Sequence, residues 1–182
     1  WLTPFSVLCG VSVVAGYAFL GACWLNMKLE GEIQHRVRVM ARVFFFATII
    51  GIFAVSLATP FLGAGYAARW FGWPQLALTA PVPILIAGIA LLLLRTLFHP
   101  ERDRLPFILG LVLFALCFLG LGISIWPLAV PQQITLWGAA APAKSQLFMF
   151  VGAIVLVPII LAYTGYAYWV FRGKLDPEKG YH

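Results

Sequence analysis

Five stretches of this chain are apolar for roughly 20 residues at a time, the length a helix needs, at about 1.5 Å per residue, to cross the hydrocarbon of a bilayer. They run from Leu2 to Met27, Met40 to Thr59, Val82 to Phe98, Pro106 to Val130 and Leu147 to Phe171. Lipid offers no hydrogen-bond partner, so each backbone N–H must be paired inside its own segment, and the segments are helices rather than strands. A polar stretch from Glu32 to Val39 reads as a helical extension of the second span that projects from the membrane. Composition agrees: 63% of the 182 residues are apolar and only 10% are charged, against roughly a quarter charged in soluble domains. This excludes a water-soluble enzyme, a disordered tail and a secreted disulfide scaffold. The expected fold class is all-α, a polytopic transmembrane helix bundle of five spans that occupies residues 1–182 as a single domain.

The positions of the charges predict the orientation. Lys28, Arg36, Arg38 and Arg42 fall between spans one and two, Arg95, Arg102 and Arg104 between three and four, and Arg172, Lys174 and Lys179 in the tail. The alternate loops hold only Arg69 and Lys144. By the positive-inside rule the first and third loops and the C-terminus are cytoplasmic and the N-terminus is outside. The net charge of +6 therefore concerns topology and anionic headgroups, not nucleic acid. All six acids (Glu30, Glu32, Glu101, Asp103, Asp176, Glu178) lie in the same cytoplasmic strips. Trp1, Trp70, Trp73, Trp126 and Trp137 mark the outer edge, and Trp24, Tyr166, Tyr168 and Trp169 the inner one, as an interfacial belt. The nearly uncharged loop from Pro60 to Pro81 is expected to lie on the interface or fold back against the bundle. The opening at Trp1, with no initiator Met, reads as an internal start, so the chain is expected to be the C-terminal part of a longer subunit.

Residues for chemistry at membrane depth are scarce. Haem iron takes His, Met, Cys or Tyr, but His35 and His99 flank cytoplasmic span ends and His182 is terminal. Met27 and Met40 sit near the inner edge and Met149 near the outer end of span five, without a His at matching depth. Cys9, Cys23 and Cys117 are scattered through spans as small packing residues. Ion and proton paths carry ionisable side chains inside spans, and here Arg42, Arg95 and Asn26 all stand near span ends. Thr48, Ser56, Thr59 and Ser124 are expected to bond to their own helix or a neighbour. Small residues at helical spacing (Ala18 and Ala22, Ala54 and Ala58, Gly120 and Ser124) favour close helix approach. Pro158 removes a backbone hydrogen bond from span five and is expected to kink it. No catalytic, cofactor-binding or metal-ligating residue is assigned.

The last fifty residues are the most distinctive. I-T-L-W-G-A-A-A-P-A-K-S-Q-L-F from Ile134 to Phe148 is followed by V-P-I-I-L-A-Y-T-G-Y-A-Y-W-V-F-R-G-K from Val157 to Lys174. Together with L-T-P-F-S-V-L-C-G-V (Leu2 to Val11), the span end at Trp24 to Lys28 and E-G-E-I-Q (Glu30 to Gln34), this resembles subunit II of the cytochrome bd-type quinol oxidases, in particular the cyanide-insensitive branch. The resemblance covers essentially the whole chain. Because that subunit is about twice this length, with nine spans and its N-terminus outside, the resemblance implies its C-terminal part.

The resemblance further implies a respiratory-chain oxidoreductase of the bacterial cytoplasmic (inner) membrane that oxidises ubiquinol or menaquinol and reduces dioxygen to water. It implies that two b haems and haem d are held by a partner, subunit I, and that none is bound by this chain, with room for a structural quinone. Lipid and the N-terminal half of subunit II, which carries the acids of the proton route, complete the expected partners. Within the matching motif Trp137, Ser145 and Gln146 would cap span five on the outer side, and Pro158, Tyr163 and Thr164 would shape its middle as structural or subunit-contact residues. Gly138 stands where relatives often carry an acid. Alternatives from other classes are half of a secondary transporter, for which a polar midplane site would be expected, and a membrane scaffold protein.

Overall fold

The structure is a computed structural model that describes residues 2–63, 65–73, 75–99, 103–130 and 133–173. Five of its helices are long and apolar enough to cross a membrane: α1 (Pro4–Lys28), α2 (Gly31–Ala58), α5 (Pro81–Phe98), α6 (Leu105–Ile125) and α7 (Ala143–Val170). Two short helices, α3 (Tyr66–Phe71) and α4 (Gln75–Thr79), lie between α2 and α5, and a two-stranded ribbon of β1 (Leu128–Val130) and β2 (Ile134–Thr135) precedes α7. The chain forms two compact units, one ending at Ser124 and the other beginning at Ile125. Arg69 has no described side chain, and Glu101, Arg102, Lys174, Asp176, Glu178, Lys179 and His182, together with Trp1, lie outside the described residues.

In the first unit α1 starts on a capping box. Thr3 Oγ1 accepts from the Ser6 backbone N–H at 3.1 Å, Ser6 Oγ accepts from the Thr3 N–H at 2.9 Å, and Pro4 follows where no donor is needed. At the other end the Leu29 N–H donates to Leu25 O, and Gly31 at φ +70° turns the chain straight into α2. That left-handed geometry costs glycine nothing. At 28 residues α2 is about 42 Å long, more than the roughly 30 Å of hydrocarbon, so the polar turns from Glu32 to Val39 extend the helix beyond its apolar part.

The core of this unit follows helical spacing. Phe19, Ala22 and Cys23 on α1 meet Val37, Ala41 and Phe45 on α2, with Leu93 and Leu97 of α5 and Leu113 of α6. The Phe19 and Phe45 rings lie 5.8 Å apart and tilted, as aromatic pairs prefer. Close approach depends on glycine. A Cβ on Gly51 would stand 2.7 Å from Ser12 Oγ and 3.3 Å from Ser12 Cα, and one on Gly110 would stand 2.9 Å from Leu20 Cδ2. Among the small pairs seen in the sequence, Ala22 is buried and Gly120 faces Val82 and Trp70. Thr48, Thr59 and Ser124 each donate to the carbonyl four residues back.

The expected fourth span, to Val130, is too long. The helix stops at Ile125 because Pro127 has no N–H to donate and excludes helical geometry for the residue before it. Leu128 and Val130 pair instead with Thr135 and Ile134. At the other boundary the fifth span begins earlier than the expected Leu147, at Ala143. In this second unit α7 is apolar from Leu147 to Ala162, has no buried residue, and contains Pro158 inside the helix.

Gly51→Ala is expected to lower stability by about 1–3 kcal/mol, because Ser12 is backbone-close and its hydroxyl is already tied to Leu8 O. Gly10→Ala, where a Cβ meets nothing within 4 Å, is expected to be neutral or to stabilise by up to about 1 kcal/mol through helix propensity. Thermal unfolding of the two variants in the same detergent checks the contrast.

Candidate functional site

The polar residues that the sequence spreads over three segments converge at one end of the first unit. Asn26 occupies the next position of the stripe Phe19, Ala22, Cys23, and is only 2% exposed. Its Oδ1 accepts from Arg38 Nε at 3.2 Å, its Nδ2 donates to the Asp103 backbone oxygen at 3.4 Å, and its backbone oxygen accepts from Gln34 Nε2 at 2.8 Å. The Arg38 fork then donates through Nη2 to Asp103 Oδ1 at 2.6 Å. One guanidinium thereby joins α1, α2 and the segment leading into α6. Only an arginine, with several donors in a fixed plane, can serve two acceptors this way.

A second arginine closes the same end. Arg42 Nε donates at 3.1 Å to Leu97 O, in the last turn of α5, where carbonyls have no partner within the helix. Its guanidinium also stands 4.4 Å from the centre of the Phe98 ring, within cation–π range. Lys28 lies 5.1 Å from the Trp24 ring.

Burial separates structural from solvated charge. The Arg38 and Asp103 side chains are 13% and 21% exposed, whereas the Arg36–Glu32 pair, also at 2.6 Å, is 72% and 78% exposed. A partly buried, charge-assisted pair is held strongly, while an exposed i,i+4 pair contributes a few tenths of a kcal/mol. Among the described residues no buried side-chain nitrogen or oxygen lacks a partner, and no three His, Cys, Asp or Glu gather as a metal site would need. The chemistry of this cluster is that of a clasp: fixed charges satisfy one another and hold three segments together.

The opposite end of the unit is closed by the loop between α2 and α5. Trp70 Nε1 donates to Ser124 Oγ at 2.9 Å, and Thr79 Oγ1 donates to Trp70 O at 3.1 Å. Through Trp70 this loop folds back onto the helices, one of the two placements expected for it.

The motif residues all fall in the second unit. Trp137 is 66% exposed and packs edge-on against Trp126 with centroids 5.4 Å apart. Because α7 begins at Ala143, Ser145 and Gln146 lie in its first turn. Their backbone N–H groups donate to Pro142 O, and Gln146 Nε2 reaches back to Ala141 O at 2.9 Å. Tyr163 and Thr164 are exposed on α7 beyond Pro158. Gly138 closes the turn after β2, with its N–H donating to Thr135 Oγ1 at 3.1 Å. The structure thus gathers Trp137, Ser145 and Gln146 on either side of one short connection and sets Pro158, Tyr163 and Thr164 apart along the helix. It also reveals Asn26, Arg38 and Asp103, which the sequence reading treated as span-end and loop residues.

Replacing either partner of the clasp is expected to be costly. Arg38→Met should destabilise by about 1–3 kcal/mol by leaving buried acceptors short of a donor, and Arg36→Met by no more than about 0.5 kcal/mol. A double-mutant cycle of Arg38→Met with Asp103→Asn, read by thermal unfolding in detergent, should return a coupling energy of about 1–3 kcal/mol.

Comparison with known proteins supplies the family. The family model described as cytochrome bd terminal oxidase subunit II matches residues 1–171. The chain is 29% identical to cytochrome bd-I ubiquinol oxidase subunit 2 of Escherichia coli (strain K12), over 97% of this chain and 54% of that protein. It is 25% identical to a probable cytochrome oxidase subunit 2 of Haemophilus influenzae, over 96% and 53%, and 22% identical to cytochrome bd ubiquinol oxidase subunit 2 of Bacillus subtilis, over 98% and 53%. The chain spans about half the length of the curated relatives it matches. With a family match over nearly its whole length and, among the described residues, five helices long and apolar enough to cross a membrane, as in a multi-pass membrane protein, the chain belongs to the cytochrome bd terminal oxidase subunit II family.

Proposed function

We propose that this chain is the C-terminal part of a structural, non-haem-ligating subunit of a bd-type terminal quinol oxidase. The complex oxidises quinol and passes the electrons to dioxygen, which is reduced to water. Subunit I holds the two b haems and haem d, and the N-terminal half of subunit II completes the assembly beside it. The N-terminus of α1 faces the outside, and the end carrying Arg38, Arg42 and Asp103 faces the cytoplasm.

The observation that carries this reading is the family match from residue 1 to residue 171, to which the polar chemistry of the chain adds support. Two of the described arginines hold separate segments to one another: Arg38 bonds to Asp103 and Asn26, and Arg42 to Leu97 and Phe98. They keep the inner ends of α1, α2, α5 and α6 at fixed separation, a scaffold against which a redox subunit can be seated. The orientation is supported by the distribution of cations, since Lys28, Arg36, Arg38, Arg42, Arg95 and Arg104 all belong to the loops between α1 and α2 and between α5 and α6, or to the helix ends beside them.

An affinity tag on this chain tests the proposal. Purification in mild detergent from its native membrane should recover a haem-bearing partner with reduced b- and d-haem bands and quinol-supported oxygen uptake. Recovery of a stable, haem-free protein with no partner would overturn it. With Arg38→Met the haem recovered per tagged chain should fall several-fold while turnover per haem is unchanged, the pattern of an assembly defect and not a catalytic one.

A further inference from the structure

The face of α5 turned away from the core is not a smooth apolar surface. Leu93 and Leu97 are buried on one side of this helix, while Ile84, Leu85, Gly88, Leu91, Leu92 and Arg95 line an open groove of about 510 Å³ on another. Gly88 makes the depression, since a Cβ built there meets nothing within 4 Å, and the neighbouring leucines and isoleucines form its walls. From Ile84 to Arg95 the groove runs about 16 Å along the helix, close to half the thickness of the hydrocarbon layer.

Its polar end is a single cation. Arg95 is exposed, stands one turn before His99, whose Nδ1 lies 2.7 Å from Arg95 O, and has no ion-pair partner among the described residues. Arg38 and Arg42 at the same end of the unit are committed to protein acceptors. Among the described residues Arg95 therefore presents a guanidinium with no ion-pair partner at one end of an open groove along α5 that is otherwise wholly apolar.

We propose that this groove is a binding site for one anionic phospholipid. Arg95 donates to the headgroup phosphate, and an acyl chain runs past Leu92, Leu91 and Leu85 over the gap left by Gly88. The charge selects an anionic over a zwitterionic lipid, because each cation near the membrane surface adds about fivefold to retention of an anionic partner. The groove selects a chain lying along α5 over one moving freely in the bulk bilayer.

The test uses the whole membrane assembly containing this chain and does not depend on oxidase activity. The purified assembly, washed free of loosely held lipid, is incubated with dioleoyl phosphatidylglycerol or dioleoyl phosphatidylcholine, and retained lipid is counted by native mass spectrometry. Phosphatidylglycerol should be retained in preference. Arg95→Gln should weaken its retention roughly fivefold, Arg95→Lys should restore it, and Arg36→Gln, which removes the same charge from the same end but outside the groove, should weaken it markedly less. Gly88→Leu, which fills the groove without clash and keeps the charge, should also lose the lipid. Equal retention of the two lipids, or undiminished retention by Arg95→Gln or Gly88→Leu, would overturn the proposal, the groove then being covered by protein or read only as diffuse surface charge.

Discussion

The donation from Arg38 to Asn26 and Asp103 is the contact on which the first unit most depends. Within a bilayer, lipid tails are as apolar as leucine side chains, so helices gain little by hiding apolar surface against each other. Packing of the Phe19, Phe45 and Leu113 kind is then dispersion between closely fitted surfaces, and it falls away quickly once helices separate. A charge-assisted fork behaves differently. Separating α1, α2 and the start of α6 would break the bonds of a guanidinium and a carboxylate that are only 13% and 21% exposed, and a hydrogen bond to a charged group is worth about 1.5–3 kcal/mol, far more than a single van der Waals contact.

The two ends of the unit are closed by different means. At the charged end the bonds are ionic and link helices directly. At the other, the indole of Trp70 and the hydroxyl of Ser124 form a neutral bond, and that hydroxyl also donates to Gly120 O. A neutral bond of this kind is worth about 1 kcal/mol net, so the loop carrying α3 and α4 is held less firmly than the clasp. The connection before α7 relies on turn chemistry: the β1–β2 pairing, the Trp126–Trp137 contact and the reach of Gln146 to Ala141 O.

Much of this was legible in the sequence because hydrocarbon imposes so few solutions. Spans one, two and three were recognisable to within a few residues from apolar length alone, and back-bonding by Thr48, Thr59 and Ser124 followed from their residue type. Pro127 was visible as well, but an apolar run continuing to Val130 outweighed it in a reading based on hydropathy. Asn26 was hidden for a different reason. Its distance from the helix end suggested solvent, yet its phase on the Phe19, Ala22, Cys23 stripe placed it in the core. Arg38 could not be assigned from the sequence because its partner lies 65 residues away, and nothing local distinguishes it from Arg36, whose partner is one turn away and whose charge is solvated. The six residues of the C-terminal motif were found by resemblance, and their roles rest on it.

The length of α2 has a mechanical consequence. In a bilayer thinner than its apolar part, a single helix can tilt until the lengths agree, at a cost of fractions of a kcal/mol per ångström of mismatch. Here the polar turns beyond that layer are those carrying Gln34 and Arg38, which are bonded to the end of α1 and to Asp103. Tilting α2 would move α1 and the start of α6 with it. The unit therefore meets a thinner or thicker bilayer as a stiff inclusion, and the elastic adjustment falls on the surrounding lipid.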